Sequence, residues 1–80
     1  MERKIKFIWD FRGPDGLQIA KHHENHIKEF IENKAPEFPI TGVETISPMH
    51  SLAYWVIEES KILDYRDLLK PHRATVHTEE

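Results

Sequence analysis

Three of the six histidines of this 80-residue chain fall within five positions, in His22-His23-Glu24-Asn25-His26. Imidazole is the commonest metal ligand and the side chain that changes charge nearest neutral pH. On a helix His22 and His26 stand four apart, one turn from each other on one face. That spacing can chelate zinc, copper or nickel, although a firm site takes three or four protein ligands. Glu29, three beyond His26, or His50, His72 and His77 from elsewhere would have to complete it. The metalloprotease pattern HExxH is not present, because His-Glu-Asn-His has one intervening residue too few. The plainer alternative for the pair is a solvated helix edge.

His23 differs from its neighbours. On a helical wheel it falls inside an apolar arc made by Leu17, Ile19, Ala20, Ile27, Phe30 and Ile31, whereas His26 and His22 lie successively further out. It is either a core histidine with a satisfied hydrogen bond or a group facing a pocket between helix and sheet. In the second case it can serve as general acid or base, given a partner within reach. Trp9, Tyr54 and Trp55 are most simply core or interface residues; the alternative is an aromatic wall for a small organic ligand. The leading expectation is a small organic ligand held between sheet and helices by His23, His26, Trp9 and Tyr54; the alternatives are a metal-binding module on His22 and His26, or a structural or regulatory dimer without catalysis. Weaker candidates are Asp10 with Arg12 at a strand end, and His72-Arg73 as an anion-attracting step. For these an exposed ion pair and a solvated loop are the ordinary readings.

The elements that must position these groups follow from periodicity. Lys4 to Phe11 alternates, with Ile5, Phe7, Trp9 and Phe11 on one face, and predicts a strand. Gly13-Pro14-Asp15-Gly16 breaks it, and Asp15 is placed to cap the next helix. Leu17 to about Asn33 is the long helix carrying the histidines. Pro36 and Pro39 mark a loop. Gly42 to Ser47 predicts a short strand, and Met49 or His50 to Glu58 a strong one that is apolar on both faces, Leu52, Tyr54 and Val56 against Ala53, Trp55 and Ile57. Ser60 is placed to cap a second helix over Lys61 to Lys70, with Ile62, Tyr65, Leu68 and Leu69 inward and Pro71 as its stop. Ala74 to Thr78 predicts a last strand, and the polar Thr78-Glu79-Glu80 tail is expected to fray.

The order βαββαβ makes a single domain over residues 1–80, α+β and ferredoxin-like: a four-stranded antiparallel sheet with two helices on one face. Helices cover only one sheet face, so the doubly apolar third strand calls for a homodimer, sheet against sheet. Fourteen acidic and eleven basic residues give a net charge of −3, mixed along the chain. No basic stripe supports nucleic-acid binding. No apolar run is long enough to span a membrane, and none marks a signal peptide. The lack of cysteine rules out disulfides and thiolate sites and fits a cytoplasmic protein. No glycine-rich phosphate loop or nucleophile elbow is present, and no cofactor is expected.

With Lys4-Ile5-Lys6-Phe7-Ile8-Trp9 as opening strand, Gly42-Val43-Glu44 before the hairpin, and Leu52-Ala53-Tyr54-Trp55-Val56-Ile57-Glu58 running into a short helix that ends at Leu68-Leu69, nearly the whole chain resembles small single-domain members of the dimeric α+β barrel superfamily. The resemblance implies a homodimer with a pocket between sheet and helices. That superfamily includes cofactor-free monooxygenases, haem-degrading enzymes, isomerases and stress-responsive proteins. None of its catalytic sets matches residue by residue, so the resemblance assigns no catalytic residue, and fold alone is a poor guide to activity.

Overall fold

Alternation of large apolar and polar residues makes Lys4–Arg12 a strand, β1, one residue longer than the pattern predicts. The computed structural model describes residues 3–77. Helix α1 spans Gly16–Lys34, β2 Thr41–Ser47 and β3 His50–Glu58. A short 3₁₀ turn, Glu59–Lys61, leads into α2, Ile62–Leu69, and β4 is Arg73–His77. The sheet order is β2-β3-β1-β4 with every neighbouring pair antiparallel. This is the ferredoxin-like βαββαβ arrangement.

Register sorts the side chains. Phe7 pairs with Trp55, Trp9 with Ala53 and Ile5 with Ile57, so these residues share one face. Both helices cover that face. Ile27 and Ile31 of α1 join Ile5, Phe7, Trp9, Trp55 and Ile57 in one core, flanked by Phe30, Ile62, Tyr65 and Leu69. Complete burial of each such side chain is worth about 1.5–3 kcal/mol. The two indoles are also tethered: Trp55 Nε1 donates to Phe38 O at 2.7 Å, and Trp9 Nε1 to Leu69 O at 3.0 Å. Trp55 thus holds the α1–β2 loop to the sheet, and Trp9 holds the end of α2.

Several local expectations are corrected. Asp15 precedes α1 but its carboxylate makes no capping hydrogen bond. Its backbone, at φ −96° and ψ 5°, lies outside the extended geometry from which a capping side chain reaches back. Ser60 does not cap α2, because the 3₁₀ turn absorbs it and Lys61 stands at the cap position without a side-chain bond. Leu17 and Ile19 are exposed, the buried stripe of α1 being Gly16, Ala20, Ile27 and Ile31. Leu68 is 67% exposed, so the inner face of α2 is Ile62, Tyr65 and Leu69. The helix ends with Lys70 in the left-handed region, φ 49°. Of the predicted last strand, Thr78 lies outside the described residues, as does the rest of the tail.

The face without helices is not an exposed apolar surface. Ile8, Leu52 and Val56 on it are 4%, 3% and 2% exposed within the single chain. Polar side chains on the same face accompany them. Lys6 Nζ lies 3.1 Å from Glu44 and 4.2 Å from the centre of the Tyr54 ring. That ring lies across Gly42 so closely that a Cβ there would overlap it.

Candidate functional site

The turn-and-a-bit spacing of His22 and His26 survives folding as expected. Both are exposed on α1, their Nε2 atoms are 3.1 Å apart and their rings nearly perpendicular. In a neutral pair one nitrogen donates its proton and the other accepts it. With both lone pairs turned outward-facing to a common point, the same two atoms form a bidentate donor set. Among the described residues no group of three or more His, Asp or Glu side chains gathers to hold a metal, so neither Glu29 nor another histidine completes the pair.

His23 turns inward. Its ring centre is 4.8 Å from that of Trp9 and 5.5 Å from that of Phe11. Its Nε2 is buried and is the one buried side-chain polar atom without a hydrogen-bond partner among the described residues. Burial pushes its pKa below 6.5, and the neighbouring His26, His72 and His22 push it further the same way. His23 is thus held toward the neutral imidazole. His72, whose ring lies 6.2 Å from Phe11, accepts the backbone N–H of Asp10 on Nδ1 at 2.9 Å.

Asp10 then joins this side of the sheet to the other. Its carboxylate faces away from the helices. It accepts two hydrogen bonds from Arg73, at 3.0 and 3.1 Å, and lies 2.8 Å from His50 Nε2. The forked contact with the Arg73 guanidinium, helped by His50, outweighs burial and holds the Asp10 pKa down at about 2. Arg73 is raised in turn by the same contact. His23, His50 and His72 therefore lie around the C-terminal end of β1, with His50 on the sheet face opposite to His23.

The expected four-residue wall does not form. Trp9 and His23 touch, but Tyr54 pairs with Ile8 and lies on the opposite sheet face. His26 is directed to His22 rather than to Trp9. A groove of about 220 Å³ is lined by Lys28, Ile31, Glu32 and Pro39. By helical spacing Lys28 and Glu32 belong to the flank of α1 away from His22 and His26, so this groove is not the expected cavity beside His23. Asp10 pairs with Arg73 rather than with Arg12, and Arg73 is thereby engaged instead of standing free with His72 for an anion.

The Asp10–His50–Arg73 cluster has no local signature in the sequence. Its one available signal was topological. In the order β2-β3-β1-β4 the start of β3 and the start of β4 both flank the end of β1, which brings positions 50 and 73 to position 10. No family model, curated protein or solved structure matches the chain. The functional reading therefore rests on these residues alone. No helix among the described residues is long and apolar enough to cross a membrane.

Proposed function

We propose that this chain is a histidine-based metal-binding module whose primary ligands are His22 and His26. The observation that carries the reading is the 3.1 Å separation of their two exposed Nε2 atoms. Two imidazoles on a tetrahedral zinc, each about 2.0–2.1 Å from it, have nitrogens about 3.3–3.4 Å apart, and a right-angled pair on copper or nickel closes to about 2.9 Å. The observed spacing lies between the two, so a cation enters once the rings turn their lone pairs to a common point, with little change in the nitrogen separation. Helical spacing also places Lys21 and Lys28 well around the helix from the pair, leaving Gln18, Asn25 and Glu29 near it. On α1 itself, therefore, no lysine stands beside the pair.

Calorimetric titration with zinc or nickel tests the proposal. Saturable heat that disappears in the His22→Ala/His26→Ala variant is expected. Absence of saturable heat, or heat unchanged in the variant, refutes it. Because the ligands must shed their protons, affinity is expected to fall on acidification.

A second reading, a small organic ligand between sheet and helices, is favoured by the unpartnered Nε2 of His23 beside Trp9. Titration with a panel of small organic acids, followed by amide chemical shifts, tests it. Saturable shifts confined to His23, Trp9, Phe11 and His72 support it, and unchanged spectra count against it. Membership in the dimeric α+β barrel superfamily, with a sheet-to-sheet homodimer and a cytoplasmic setting, belongs to this second reading, in which the pairing needs no metal. What supports it is the strand order together with the residues that carry the resemblance, and for the setting the lack of cysteine.

A further inference from the structure

The donor count at the histidine pair leads one step beyond metal binding, and the step rests on that reading. A borderline divalent ion such as zinc is four-coordinate in closed protein sites. One chain offers two ligands here, and no third His, Asp or Glu among the described residues joins them. Both rings are exposed on the solvent side of α1, away from the sheet that covers its inner stripe. A second molecule can therefore approach them without disturbing the core.

We infer that the site is completed by a second copy of this chain, the His22–His26 pairs of two molecules closing one cation on a two-fold axis. Such an arrangement is isologous, since the same pair is contributed from each side. It also fixes the geometry. The line joining the two Nε2 atoms of one chain links residues one helical turn apart and so runs roughly along α1. In a tetrahedral ion the two nitrogen–nitrogen lines are perpendicular. Two α1 helices joined by zinc therefore cross near a right angle and touch over about one turn. The exposed neighbours within that turn are Gln18, Ile19, Asn25 and Glu29. These four positions of α1 include one apolar residue and no cationic one. The contact is too short to persist by burial alone, so the pairing depends on the ion.

The test uses the full chain. Light scattering and calorimetry are run with zinc chloride and then with excess EDTA. The expected result is a rise from the 9.5 kDa chain mass to twice that value, complete at one zinc per two chains and reversed by EDTA. The His22→Ala/His26→Ala variant, altered only at two exposed positions, is expected to keep its circular dichroism spectrum and to stay at the single-chain mass with zinc present. One zinc bound per chain at unchanged mass overturns the shared site while leaving metal binding intact. Absence of zinc binding overturns both. A doubled mass that persists in EDTA or in the variant overturns the inference as well, because another surface then makes the dimer.

Discussion

Replacing Asp10 by asparagine isolates the best-built polar cluster of the molecule. The carboxylate binds Arg73 through two hydrogen bonds and His50 through a third contact, and its side chain is 16% exposed. Its pKa falls from 3.8 to about 2. The folded state therefore favours the charged form, and the unfolded chain binds the proton more readily. The resulting stability is present above pH 3.8 and is lost as pH falls toward 2. A shift of that size corresponds to at most about 2.5 kcal/mol. Arg73 is 48% exposed, so solvent screening reduces this to about 1–1.5 kcal/mol. Urea unfolding of wild type and Asp10→Asn at pH 7 should differ by that amount. Linkage predicts that about half of the difference is gone by pH 3. Other carboxylates titrate alike in both proteins and cancel. Arg73→Ala should cost much less in the Asp10→Asn background than in wild type, since its principal partner has lost its charge. Equal destabilisation at pH 7 and pH 3, or none at pH 7, would refute the assignment of Asp10 as the anchor of β4.

His23→Leu removes the unpartnered buried Nε2 and should raise stability by about 1 kcal/mol at neutral pH in EDTA; a loss of similar size would mean that the nitrogen is bonded in solution. Because burial lowers the His23 pKa below 6.5, the wild type should also lose stability as pH falls below 6.5, by no more than about 1.4 kcal/mol per pH unit, and the variant should lose that contribution. Lys70 stands at φ 49° just after α2, so Lys70→Gly should stabilise by about 1 kcal/mol, read as a higher thermal midpoint; an unchanged or lower midpoint would contradict the left-handed conformation. Gly42→Ala should cost about 1–3 kcal/mol because the new methyl group displaces the Tyr54 ring and its contact with Lys6. The cost should shrink in a Tyr54→Ser background, and an identical cost there would place the strain elsewhere.

Local period alone determined most of the elements. The alternation of β1 and β3 and the 3.6-residue rhythm of α1 are properties of adjacent residues, since a strand sends successive side chains to opposite faces and a helix stacks those four apart. The His22–His26 pair was legible for the same reason, as was the inward position of His23. The helix caps were not: Asp15 and Ser60 have the right side chains, but capping depends on backbone angles that the surrounding turns imposed. Register decided the rest. Trp9 and Tyr54 look equivalent along their strands, yet the pairing of Trp9 with Ala53 and Ile8 with Tyr54 puts them on opposite faces. Arg73 and His50 reach Asp10 from 63 and 40 positions away. Such contacts are set by which strands become neighbours and in what alignment. That choice comes from the burial of the whole apolar face at once, and no short stretch of sequence contains it.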